Sequence, residues 1–161
     1  MDPKNYLHCF KLIGNENNIN VEIGIYSAIG KNIEINNVNN LDIQIGHDCF
    51  IGNDVKIKSG IKIANGCFIA PKCCIEEDCP PFSIWRIDAD SGKTIQRGFR
   101  YCPEVINFFE EIEWWNWNED QMKRNKDIFI IPFHDYKSIK QYLSYSEISL
   151  MNLDELALKF K

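Results

Sequence analysis

Between Ile45 and Pro80 the chain divides without remainder into six units of six residues, IGHDCF, IGNDVK, IKSGIK, IANGCF, IAPKCC and IEEDCP, each opening on isoleucine. An amphipathic helix repeats its apolar face every three to four residues, so this period excludes one and fits a short strand followed by a corner. The fifth positions, Cys49, Val55, Ile61, Cys67, Cys73 and Cys79, are compact apolar side chains able to share an interior with the isoleucines. The third and fourth positions (His47-Asp48, Asn53-Asp54, Ser59-Gly60, Asn65-Gly66, Pro71-Lys72, Glu77-Asp78) are mostly turn formers. Alone, Asn65-Gly66 between apolar runs reads as a hairpin turn. Repeats in register override that local signal, because a hairpin has no reason to keep the same count on both sides of its turn.

Strands so short satisfy their backbone polar groups only by stacking on the coils above and below, with the ends capped. The reading is therefore mainly β: a parallel β-helix with a C-terminal helical cap. Ile13, Ile19, Ile23, Ile29 and Ile35 carry a rougher version of the same beat, one and a half to two imperfect coils between Leu7 and Asn40. Pro80-Pro81 is expected to stop the repeat and turn the chain off the coil axis. Residues 82–87 and 93–99 then read as two extended segments around the polar turn 88–92. Pro103 suits the first turn of a helix to about Glu113 with Val105, Ile106, Phe109 and Ile112 on one face. Asn118 can cap a second helix to about Lys126. Trp114, Trp115 and Trp117 read as packing for the cap, with further helices around 138–143 and 153–160. One domain is expected, coils over 1–81 and exit hairpin plus helical cap over 82–161.

Composition narrows the class. A net charge of −5 over 161 residues leaves no electrostatic footprint for nucleic acid or an anionic membrane surface. There is no N-terminal basic-then-apolar signal and no run of eighteen apolar residues, so the expectation is a soluble, cytoplasmic protein without membrane insertion. Of the seven cysteines, four occupy the inward fifth position, where a free thiol serves as a small hydrophobe. The spacing of Cys73, Cys74 and Cys79 is not that of a zinc site, and no metal is expected.

From Ile45 to Lys126 the order of features resembles the hexapeptide-repeat acyltransferases, and within them the xenobiotic acetyltransferase subgroup. The residues that carry it are the IGHDCFIGND coil, the exit Pro80-Pro81-Phe82, the segment Ile95 to Phe99, and the helix ending in Trp114-Trp115-Asn116-Trp117. The resemblance implies a left-handed coil, a homotrimer, and transfer of an acetyl group from acetyl-CoA to a hydroxyl or amine of a sugar or nucleotide sugar. It implies cofactor contacts at Ala70, Lys72, Trp85, Lys93 and Arg97. His47-Asp48-Cys49 is similar to the His-Asp-Cys unit of UDP-N-acetylglucosamine acyltransferases, which implies His47 as general base with Asp48 orienting it. The same dipeptide is also an ordinary polar corner. His8 and His134 are weaker candidates.

The chain departs from the subgroup in three places. Where relatives carry a long loop bearing the catalytic histidine, this chain has only residues 36–42, with no histidine. Glu76-Glu77-Asp78 precedes the proline exit, placing negative charge near the expected path of a polyphosphate cofactor. Arg86 to Lys93 lacks the glycines and proline of the subgroup's cofactor loop. The alternative expectation is a non-catalytic trimeric relative acting in binding or assembly.

Overall fold

The computed structural model describes residues 9–14 and 19–129. His8, His134 and the helices expected around 138–143 and 153–160 lie outside them. The chain divides into two compact units, Met1–Arg100 and Tyr101–Lys161.

The first unit is a parallel β-helix. Its strands are β1 (Phe10–Gly14), β2 (Val21–Ile23), β3 (Ala28–Ile29), β4 (Ile33–Asn37), β5 (Ile43–Ile45), β6 (Phe50–Ile51), β7 (Lys56–Lys58), β8 (Lys62–Ile63), β9 (Phe68–Ile69), β10 (Cys74–Ile75), β11 (Ser83–Ile87) and β12 (Thr94–Phe99). They form three sheets, β1-β4-β7-β10, β2-β5-β8 and β3-β6-β9-β11-β12, so each coil contributes one strand to each face. All pairs are parallel except the closing hairpin of β11 with β12.

The repeat dictates this arrangement. The sixth and first positions of neighbouring units make the two-residue strand, and the first and fifth turn inward. The opening isoleucines and the residues Cys49, Val55, Ile61, Cys67, Cys73 and Cys79 are all buried in one continuous core. Each buried isoleucine withdraws roughly 1.5–3 kcal/mol worth of apolar surface from water, which compensates for strands too short to be stable alone.

The fourth position turns the corner in the left-handed region: Asp48, Asp54, Gly60, Gly66 and Lys72 have φ of 53°, 59°, 82°, 71° and 66°. Asp, Asn and Gly tolerate this conformation best. Gly66 has a second reason, because a Cβ there would lie 2.3 Å from the Phe82 ring stacked above it.

Partners in the regular coils are 18 residues apart, as Phe50 and Phe68 are, but those between the first two complete coils are 22 apart. The extra residues fall between Ile35 and Ile45, where the asparagine-rich run forms a side-chain-knit loop. Asn37 and Asn40 exchange bonds of 2.9 and 3.1 Å, and Ser59 Oγ receives the backbone N–H of Val38 at 3.1 Å.

Pro80-Pro81 does not turn the chain off the axis. Cys79 bridges to Ile63, Phe82 donates its N–H to the Asn65 carbonyl at 2.8 Å, and β11 pairs in parallel with β9 as one more rung. The reason lies in which corner N–H groups face which neighbour. The last unit is two residues short: Cys79 pairs with Ile63 and Ile84 with Phe68, each 16 residues apart, so Pro80, Pro81 and Phe82 take the second, third and fourth positions of a new unit. The fourth-position N–H points to the preceding coil, as from Asp48 to Ile25, Gly66 to His47 and Phe82 to Asn65. Second- and third-position N–H groups point to the following coil, as those of Gly46 and His47 do. The two prolines occupy those latter positions on the last coil, where no rung follows and no donor is needed.

In the second unit α1 (Pro103–Ile112) begins on proline and ends on Glu113 at φ 43°. Val105, Phe108, Phe109 and Ile112 are its buried stripe, with Phe108 in place of the expected Ile106, which is half-buried. Those four follow the i, i+3, i+4, i+7 spacing that defines one helix face. A 3₁₀ turn over Trp114–Asn116 leads to α2 (Glu119–Arg124), capped reciprocally by Asn118 and Gln121 as in a capping box. Trp114, Trp115 and Trp117 are buried, Trp114 and Trp117 set their rings edge-on to Phe129, and the Trp117 indole N–H donates to the Ile112 carbonyl at 3.1 Å.

Candidate functional site

The corner between the second and third sheets stacks four layers: Ile25-Tyr26-Ser27, His47-Asp48-Cys49, Asn65-Gly66-Cys67 and Pro81-Phe82-Ser83. His47 stands at the third position of its layer. Its side chain does not simply project outward: Nδ1 accepts the backbone N–H of Ile25, one layer away, at 3.0 Å.

Its neighbours explain this. Asn65 Oδ1 accepts the N–H of His47 at 2.8 Å, Asn53 Oδ1 that of Lys31 at 2.8 Å, and Asp78 Oδ1 that of Lys62 at 2.8 Å. At the Asn65 and Asn53 corners, and at the strand start beside Asp78, a side-chain acceptor serves the N–H left bare one coil back. His47 takes this place with imidazole nitrogen instead of amide oxygen. A neutral imidazole that accepts at Nδ1 carries its proton on Nε2.

Asp48 is engaged elsewhere. Its carboxylate lies 3.1 Å from Arg100 Nη1, which also donates to the Gly66 carbonyl at 2.8 Å and the Asp48 carbonyl at 3.3 Å. The guanidinium sits 5.6 Å from the centre of the Phe82 ring. Burial raises the Asp48 carboxyl above its ordinary range, with the Arg100 charge opposing the shift. Asp48 is thus the charge partner of Arg100. Nothing in the repeat pattern flags Arg100, which lies beyond the last unit and reaches this corner through the hairpin.

Below the corner surface runs a polar seam inside the core. Ser27 Oγ donates to the Gly46 carbonyl at 2.8 Å and receives the Cys49 N–H at 3.0 Å. The thiols of Cys49 and Cys67 donate to the Ala64 and Pro80 carbonyls at 3.2 and 3.1 Å. The Trp85 indole N–H ends the seam on Ser83 Oγ at 2.8 Å.

The residues expected at a cofactor fall into two groups. Trp85 is part of the buried core and Ala70 packs against it, its N–H donating to the Trp85 carbonyl at 2.9 Å. Lys72, Lys93 and Arg97 are exposed, Lys72 on a corner and the other two on the closing hairpin. Arg86, also exposed on β11, joins them. The Asp88 carboxyl is held below its usual range by hydrogen bonds from the Ser91 side chain and backbone, with Arg86 and Arg97 adding to the effect. The hairpin therefore presents three cations, Arg86, Lys93 and Arg97, the charge type a polyphosphate requires. A shallow depression lined by Lys56, Lys58, Cys74 and Glu76 lies on the first sheet, away from the His47 corner.

Among the described residues no group of three or more His, Cys, Asp or Glu is placed to hold a metal ion, and no helix is long and apolar enough to cross a membrane. Residues 42–77 match a family model described as bacterial transferase hexapeptide (six repeats). No curated protein matches the chain.

Proposed function

We propose that the protein is a hexapeptide-repeat acyltransferase that moves an acetyl group from acetyl-CoA to a hydroxyl or amine of a sugar or nucleotide sugar, working as a homotrimer. The observation that carries this reading is the match of its coil stretch to the transferase hexapeptide model, on a stack whose inward positions are filled by every one of those repeats.

Two features support it. The third sheet bears an outward apolar stripe in which Phe50 and Phe68, 42% and 38% exposed, stack at 4.9 Å. The neighbouring sheets carry Glu34 and Lys56, or Gln44 and Lys62, at comparable outward positions. We assign the stripe to contacts between copies. The hairpin cations Arg86, Lys93 and Arg97 fit the phosphates of coenzyme A, whose thioester supplies the activated acyl group. Acyl transfer further needs a route for the acceptor's proton and a donor for the carbonyl oxygen.

A second reading, a trimer that binds or assembles without catalysis, is favoured by one observation. Nδ1 of His47 and the carboxylate of Asp48 are both committed to the fold.

The test is a product assay. Purified protein is incubated with acetyl-CoA and a panel of amino sugars, hexoses and nucleotide sugars, and products are read by mass spectrometry. The transferase reading expects an acetylated product from at least one class. Absence of product across the panel, with the protein folded, favours the second reading.

A further inference from the structure

We propose that the N-terminal end of the coil stack is a docking face for a second copy of the chain, which meets it head to head across a two-fold axis. The contact depends on neither the acetyl transfer nor the third-sheet contacts proposed above.

One column of inward side chains shows that this end is open. Leu12, Ile35, Ile57 and Ile75 stand in register on the four strands of the first sheet. The last three are 2%, 0% and 0% exposed, whereas Leu12, on the end strand, is 41% exposed. The other columns repeat the contrast: Val21, Ile23 and Ile29 are half-buried, while Ile43, Ile45 and Ile51 behind them are buried. Among the described residues β1, β2 and β3 each pair on one side only. The face therefore combines apolar side chains with a row of strand-edge N–H and C=O groups, the combination that pairs with another strand.

The opposite end does not match it. There Pro80 and Pro81 supply no N–H, β12 closes the third sheet antiparallel to β11, and Cys79 and Trp85 are buried. Copies therefore do not stack head to tail into a filament, and the complement that the chain itself offers is a like end.

The end strand is self-complementary. An axis through Leu12, perpendicular to the first sheet, sets β1 (Phe10–Gly14) antiparallel to β1 of the second copy. Leu12 then faces Leu12, Phe10 covers the bare backbone of Gly14, and Lys11 lies opposite Ile13, so no like charges meet. The same axis exchanges the other two sheets, bringing β2 of one copy to β3 of the other and Val21 and Ile23 toward Ile29. The inward columns run on through the contact as one core, and the assembly closes at two.

Sedimentation velocity of the full chain at micromolar concentration tests this, with far-ultraviolet circular dichroism confirming that each variant is folded. The wild type is expected to have twice the mass of Leu12→Lys, which sets like charges against each other on the axis. That ratio is two whether each half is one copy or three. The register is tested by Ile13→Glu and Ile13→Lys, on the outward side of β1, and these carry the test alone if Leu12→Lys does not fold. Glutamate meets Lys11 of the second copy and is expected to keep the dissociation constant within about threefold of wild type, whereas lysine meets a like charge and weakens the contact about tenfold or more. A wild type with the same mass as folded Leu12→Lys overturns the inference and leaves the end to the chain's own flanking residues or to a different protein. Equal effects of the two Ile13 substitutions overturn the two-fold register, and the inference with it.

Discussion

Arg100 Nη1 lies 3.1 Å from Asp48 Oδ2 across a sequence separation of 52 residues, and the same nitrogen donates to the Gly66 carbonyl at 2.8 Å. One guanidinium therefore ties the closing hairpin to two successive layers of the corner that holds His47. Arg100→Ala leaves a half-buried carboxylate unpaired and is expected to cost about 1–2 kcal/mol, allowing for partial solvent screening. Lysine restores the charge but not the fork of donors, so Arg100→Lys should recover only part of the loss in urea denaturation.

Asp48 adds a pH signature. Its carboxyl is raised above the unfolded value, chiefly by burial. Its contribution is therefore fully present below the ordinary carboxylate pKa and is lost as pH rises through the folded value. The stability of the wild type relative to Asp48→Asn is expected to increase as pH falls from neutral to about 4. A difference independent of pH, or one that shrinks on acidification, contradicts this.

The corner acceptors make a third prediction. Asn53→Ala strips the Lys31 N–H of its partner and is expected to cost about 0.5–1.5 kcal/mol. Asn53→Asp should be nearly silent, because Asp78 and Asp42 already do this work for Lys62 and Asn20. Equal losses in both variants would mean that acceptor chemistry is not what matters at the corner.

Gly66 is the least replaceable residue of that corner. Alanine there combines a φ of 71° with a Cβ 2.3 Å from the Phe82 ring, and the expected loss is about 2–4 kcal/mol. Alanine at Gly92, whose φ is 67° but which has open space around it, should cost only about 1 kcal/mol of backbone strain. Thermal denaturation of the two variants side by side separates crowding from conformation.

Thiol labelling reads the inward register directly. Among the described cysteines Cys74 faces solvent, whereas Cys49, Cys67, Cys73 and Cys79 are buried. Burial pushes the Cys73 and Cys79 thiols up. A maleimide probe on the folded protein is expected to modify Cys74 at least tenfold faster than those four, by peptide mass mapping. Comparable rates would mean that the fifth positions do not face inward.

The coil stack was legible because a repeat imposes the same environment on every first and fifth position, so Ile45 to Cys79 report one interior many times over. Pro80-Pro81 was misleading, since proline breaks a rung only where its missing N–H has a partner to lose, and that depends on whether another coil follows. The four-layer corner was readable in principle: writing the units three to a line sets His47 above Ile25 and beneath Asn65. The direction in which the imidazole turns was not readable, because polar corners and catalytic histidines share the same residue types. Arg100 left no trace at all, as its contacts depend on a hairpin folding back over 52 residues.

Whether this stack is a coenzyme-dependent transferase is decided by calorimetric titration of the purified protein with coenzyme A. The transferase reading expects saturable binding at micromolar to low millimolar ligand, weakened at least tenfold in Lys93→Glu combined with Arg97→Glu. No heat of binding at millimolar coenzyme A, from protein whose coil stack is intact, would contradict it.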